Sequence, residues 1–292
     1  MPFGMELLKV IFLKHLFKSS YFDVIWNGHV ADRKGIIKSF KSFVPKIAKE
    51  EFGYMVLIAI LDCVDDTKLT SKAILGELTA NDDILEDIMS DDRARKVLLF
   101  AMTGKNKVFF HPDVISHLNQ AEGNPNSKKE AQIRCKEVAE AVAPSLASYI
   151  SKNLEKFLSS NNLLIFLQAL ILNSSEEDSH FMKLLDQIAK KVSQPFIPGD
   201  GDNLIESAGV HMFTKKILGK AKFYQKLLDN FDPDTLKKAL SCNRGAYLLV
   251  SITELEDSEA KNYVQSAMKS HMKYLEQKCN SKGAQLLIKK LE

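Results

Sequence analysis

The chain of 292 residues is 45% hydrophobic and 26% charged with a net charge of +3, an ordinary soluble composition with room for a large core or an elongated array. The apolar run 55–61 is far shorter than the roughly 20 residues of a membrane span, so no membrane role is read. Cys63, Cys135, Cys242 and Cys279 lie far apart without a C-x-x-C pair, which argues against a disulfide framework or a cysteine zinc site and fits a reducing compartment.

In chain order, "MELLKVIFLKHLFKSS" (5–20) predicts an amphipathic helix whose apolar side includes Leu7, Val10, Ile11 and Leu13. Glu6, Lys9 and Lys14 interrupt its apolar stretch and no small-residue cleavage site follows, so it is not a signal peptide. "DRKGIIKSFKSFVPKIA" (32–48) is amphipathic, with Asp32 as its expected N-cap. The apolar run 55–61 would suit a buried strand, but Ala59 and Leu61 are good helix formers and the pattern extends from Phe52 through Val64, which favours a helix buried on several sides. "DTKLTSKAILGEL" (66–78) follows with Asp66 as N-cap, and "HFMKLLDQIAKKV" (180–192), "KFYQKLLDNF" (222–231) and "EAKNYVQSAMKSHMKYLEQ" (259–277) are further amphipathic segments. Residues 122–129 and 193–203, rich in Gly, Pro, Asn or Asp, read as loops, the first an exposed one. Basic blocks at 1–49, 93–152 and 211–292 alternate with acidic ones at 50–92 and 153–210, which separates surfaces that attract a polyanion from surfaces that repel it.

One segment type recurs. "EEFGYMVLIAIL" (50–61), "DDRARKVLLFAM" (91–102), "ESAGVHMFTKKI" (206–217), "CNRGAYLLVSIT" (242–253) and "CNSKGAQLLIKK" (279–290) share a polar entry, a small residue and an apolar helix. A degenerate copy lies at 159–170 and an incomplete one at 19–26. With one insertion at 104–132, the spacing is roughly 36–47 residues, the signature of stacked helical units. The small residues Gly53, Ala94, Gly209, Gly245 and Gly283 mark close backbone approach at the helix start.

These units resemble the Pumilio repeat, and "DRKGIIKSFKSFVPKIAKEEFGYMVLIAILDCVDDTKL", "GNPNSKKEAQIRCKEV", "NRGAYLLVSI" and "SKGAQLLIKKLE" resemble its divergent Puf-A or penguin-like branch. The resemblance implies an all-α fold, a right-handed α-solenoid of Pumilio-like repeats. It divides the chain into a partial repeat at 1–31, repeats at 32–103, the insertion at 104–132 and divergent repeats at 133–292. It further implies a non-enzymatic protein of the nucleus and nucleolus that serves large-subunit ribosome assembly and rRNA processing. Its partners would be RNA, DNA and pre-ribosomal assembly factors, with no cofactor and no membrane. Members of the branch carry more repeats on the N-terminal side, so this sequence reads as a portion of such a protein.

An ordinary Pumilio repeat reads one base with a few side chains of one helix, by edge hydrogen bonds and stacking. Aligned on the small residue, those positions are Tyr54, Met55 and Ile58; Arg95, Lys96 and Leu99; Val210, His211 and Thr214; Ala246, Tyr247 and Val250; and Ala284, Gln285 and Ile288. No triplet joins two edge-reading groups with a stacker, which predicts binding without a base code. Phosphate contact is then the expected mode, with Arg33, Lys34, Lys38, Lys41, Arg93, Arg95, Lys96, Lys215, Lys216, Lys220, Lys222 and Arg244 as candidate cations. Tyr54, His211 and Tyr247 are candidate stacking groups. The alternative is a HEAT or armadillo-type protein scaffold whose acidic 50–92 block holds a peptide, without nucleic-acid contact.

Catalytic and metal patterns are missing. Asp62, Asp65 and Asp66 lack a second acidic cluster or a phosphate loop, and a calcium loop begun at Asp200 would have His211 where its bidentate Glu belongs. No G-x-x-x-x-G-K-[ST], H-E-x-x-H or G-x-S-x-G occurs.

Overall fold

The computed structural model describes residues 20–124, 126–200 and 203–292, and every regular element among them is helical. The helix expected near the start of the chain lies outside the described residues. Two compact units divide the chain, Met1–Tyr149 and Ile150–Glu292.

In the first unit α1 (Ser20–Asn27) precedes two helix triplets. The first comprises α2 (Val30–Ser39), α3 (Val44–Lys49) and α4 (Gly53–Cys63). The second comprises α5 (67–78, with a π-turn at Ser71–Leu75), α6 (Asp82–Ser90) and α7 (Asp92–Thr103). Like packs on like: α2 meets α5, α3 meets α6, and α4 lies between α1 and α7. The third helices thus form one row. Because α4 also touches α3 and α5, Val56, Leu57, Ile58, Ala59 and Ile60 are all fully buried. That is the helix buried on several sides predicted from its unbroken apolar run, and each of its buried Val, Leu and Ile side chains contributes roughly 1.5–3 kcal/mol.

The caps divide. The Asp66 carboxylate accepts the Leu69 N–H at 3.0 Å and caps α5. Asp32 does not cap α2. It lies within the first turn, after the cap residue His29, where its charge favours the helix N-terminus through the dipole instead.

The insertion is less exposed than its composition suggests. Gly104 ends α7 with φ 58°, and α8 (Pro112–Leu118) starts on Pro112. His117 sets its ring edge-on to Phe22 and Trp26 of α1, with centroids 4.8 and 4.9 Å apart. The segment read as an exposed loop at 122–129 is anchored instead. Asn126 donates to the Gly28 carbonyl at 3.1 Å, Ser127 Oγ donates to the Cys63 carbonyl at 2.5 Å, and Asp65 accepts the Lys128 and Lys129 N–H groups. Turn-forming residues are here paired with helix-end carbonyls rather than water. The long α9 (Ala131–Lys152) follows.

The second unit contains α10 (Leu154–Ser159), α11 (Asn161–Asn173), α12 (Ser179–Val192) and α13 (Ala208–Ile217). Two triplets follow, α14 (Phe223–Asn230), α15 (Pro233–Ser241) and α16 (Asn243–Thr253), then α17 (Ser258–Met268), α18 (Met272–Lys278) and α19 (Lys282–Leu291). The third-helix row is α11, α13, α16, α19, each packed on the next; α12, α14 and α17 form the first-helix row. Every recurring sequence segment lies in a third helix.

The helix-start glycines serve two approaches. A Cβ on Gly53 or Gly245 would stand 2.1 Å from the carbonyl oxygen of Ile47 or Ala239, in the preceding helix of the same triplet. On Gly209 it would meet Asn161 Oδ1 at 2.4 Å, and on Gly283 the Asn243 carbonyl oxygen at 2.7 Å, both across to the neighbouring third helix.

Candidate nucleic-acid interface

The third helices of the second unit read NNLLIFLQALILN, AGVHMFTKKI, NRGAYLLVSIT and KGAQLLIKKL, without one Asp or Glu. Their open sides carry His211 and Lys215 on α13, Arg244, Tyr247 and Ser251 on α16, and Lys282, Gln285 and Lys289 on α19. The last two sets share the spacing i, i+3, i+7, which aligns three side chains along one helix face.

His211, Lys215 and Arg244 come together. Burial, and then the charges of Lys215 and Arg244, push the His211 imidazole down to about 4, so it is neutral near pH 7. One Arg244 Nη1–H donates to the Glu206 carbonyl at 2.6 Å, which fixes a guanidinium that is otherwise exposed. The Glu206 carboxylate is held below its usual range by the Gly199 N–H and the Asn203 side chain. Tyr247 is half-buried, its ring beside Gly283, where an added Cβ would stand 3.1 Å from Cδ2. Lys216 is exposed on the next position of α13.

In the first unit Tyr54, Arg93 and Lys96 form a smaller cluster. The Lys96 ammonium sits 5.8 Å from the Tyr54 ring centroid. Burial raises the Tyr54 hydroxyl above its ordinary range while Arg93 pulls the other way. Both clusters bring cations and rings together, with Glu51 near Tyr54 and Glu206 near Arg244, a surface able to take phosphates and unstacked bases.

Seven nominated cations serve other purposes or other places. Arg33 is 3% exposed and bonds the Trp26 carbonyl and Ser127 Oγ, so it is not one of the open cations of the third helices. Arg95 folds back to donate to the Met89 carbonyl and pairs with Asp92. Lys220 pairs with Glu176 and lies over the Phe181 ring. Lys222 pairs with Glu259 at 2.6 Å. Lys34, Lys38 and Lys41 are exposed, but on α2 and the turn after it, in the first-helix row rather than the third.

Burial closes seven of the fifteen expected base-reading positions. Val210, Ala246 and Ala284 at the first position and Ile58, Leu99, Thr214 and Val250 at the third are buried against neighbouring helices. The middle residues Met55, Lys96, His211, Tyr247 and Gln285 reach the surface. Sequence reasoning missed Lys282 and Lys289, although they repeat the spacing of Arg244 and Ser251 from their glycines.

Among the described residues no group of three His, Cys, Asp or Glu could hold a metal ion, and no helix is long and apolar enough to cross a membrane. Stacked helix triplets with a cationic third-helix row define the class, an α-solenoid of Pumilio-like repeats. The family described as "CPL (NUC119) domain" matches residues 90–228. Pumilio homolog 3 of Danio rerio is 30% identical over 280 residues, 91% of this chain and 44% of its own length. Protein penguin of Drosophila melanogaster is 32% identical over 164 residues, 56% of this chain and 21% of its own. The crystal structure of human Puf-A superposes with a TM-score of 0.79 at 28% identity, covering 93% of this chain and 54% of that one. Its complex with DNA gives 0.78 at 27%, covering 92% and 52%. The chain belongs to the Puf-A and penguin-like branch of the Pumilio-repeat proteins. It spans less than half the length of the curated relatives it matches.

Proposed function

We propose that the third-helix row binds RNA, and DNA as well, through the phosphate backbone and without a base code. The observation that carries this reading is the sorting of charge: the third helices of the second unit hold His, Lys and Arg and no acid at all. Burial of the edge-reading positions supports the lack of a code, because a side chain packed against a neighbouring helix offers nothing to a base edge. The DNA complex of human Puf-A supports the ligand class. The chain would act in nucleolar assembly of the large ribosomal subunit, beside pre-ribosomal factors, as the branch resemblance implies.

Binding of several unrelated RNAs and one duplex DNA across a salt series tests this. Similar affinities that fall on one steep slope are expected, since each neutralised phosphate releases counterions. One RNA strongly preferred, or no binding at low salt, would reject the reading and favour a protein-binding scaffold.

A further inference from the structure

Arg33 carries a buried charge that the described residues do not neutralise. Its guanidinium bonds neutral acceptors throughout: the Trp26 carbonyl at 3.0 Å, Ser127 Oγ at 3.1 Å, and the Asn126 and Cys63 carbonyls at 3.4 and 3.5 Å. Its Nε–H has no acceptor, and neither do the Trp26 indole N–H and the Asn124 side-chain amide in the same joint. The carboxylates nearby are spent. Asp65 accepts from Arg134 and from the Lys128 and Lys129 N–H groups, Asp62 pairs with Lys105, and Asp66 caps α5. A desolvated cation matched only by dipoles is costly, and a water molecule would satisfy the Nε–H without cancelling the charge.

Arg33 also lines an open cavity of about 300 Å³, at the small end of ligand-binding pockets. Val30, Ile37, Val64 and Leu69 give it an apolar wall, Asp65 and Asp66 line it with their carboxylates already engaged by Arg134 and the start of α5, and Lys34 and Lys128 stand exposed at its rim. Val30 is 64% exposed although it faces this space. None of the lining residues is aromatic, so a nucleobase would find no ring to stack on, and a bare phosphate would leave the apolar wall uncovered.

We propose that this cavity is a docking site for an acidic peptide segment of a partner protein. One Glu or Asp side chain would complete the ion pair of Arg33, flanked by Lys34 and Lys128, while an adjacent aliphatic side chain covers Val30 and Leu69. The site lies within the first unit, between the first helices α2 and α5 and the end of α4.

Trp26 is the chain's single tryptophan, so its indole N–H and the Arg33 Nε–H report on the joint by NMR. The whole chain is titrated with acetyl-Leu-Glu-Leu-Glu-amide, and separately with acetyl-Leu-Gln-Leu-Gln-amide, inorganic phosphate and a short RNA. The glutamate peptide is expected to shift the Arg33 Nε–H signal, with affinity falling roughly tenfold in the Lys34→Glu, Lys128→Glu double variant, whose exposed positions leave the fold intact. Equal binding of the glutamine peptide, an equal shift with phosphate or RNA, or no shift with the glutamate peptide overturns the proposal.

Discussion

The first-helix and third-helix rows of the second unit use charge differently. In the first row, cations and acids pair across repeats: Lys226 of α14 meets Asp186 of α12 at 2.6 Å, and Lys222 just before α14 meets Glu259 of α17 at 2.6 Å. Tyr263 of α17 donates to Asp229 of α14. Its charges bind helix to helix. In the third row the helices approach through Gly209 and Gly283, and among the described residues only Lys290 of its cations pairs, with Glu254 at the end of α16, while the helices of the row hold no acid of their own. Where small residues bring helices together, most of the charge is left for an outside partner; where charge links the helices, it is consumed.

Reversing the third row should break this contrast most strongly. The triple variant Lys215→Glu, Arg244→Glu, Lys282→Glu is expected to lose about 100-fold in RNA affinity at low salt, with an unchanged circular dichroism spectrum. Gly245→Val attacks the spacing rather than the charge. Its side chain cannot fit beside the Ala239 carbonyl, so urea denaturation should show about 1–3 kcal/mol of lost stability. Arg244→Gln alone should reduce the slope of log affinity against log salt by about one, uniformly across RNA sequences.

His211 gives a pH test. The folded protein keeps its imidazole neutral down to about 4, while the unfolded chain protonates it near 6.5. Stability is therefore undiminished above pH 6.5 and is lost as pH falls toward 4, and His211→Gln should flatten that part of the profile in thermal melts. The smallest effect is expected in the first row. Lys226→Gln removes one partly exposed pair, worth about 0–1 kcal/mol, and should leave RNA affinity within about twofold.

Much of the fold was legible because the repeat signal lies in third helices, whose small residue and apolar run answer to one packing environment. Asp66 and the many-sided burial of α4 followed from local rules. The site was only half legible. Arg33 and Arg244 look alike in sequence, both in polar entries before an apolar run, yet one is buried under the insertion and the other is open. That difference depends on Ser127 and Asn126, distant in sequence from Arg33, and on turn residues whose composition suggested solvent. The base-reading triplets were placed by alignment to the glycine, but neighbouring helices cover two of the three positions in α16, which only packing reveals.

The most direct test of the central claim is photo-crosslinking of thiouridine-labelled RNA followed by mass spectrometry of the attached peptides. Adducts concentrated on α13, α16 and α19, at or beside His211 and Tyr247, are the predicted result. Adducts concentrated on α12, α14 and α17 would contradict the account.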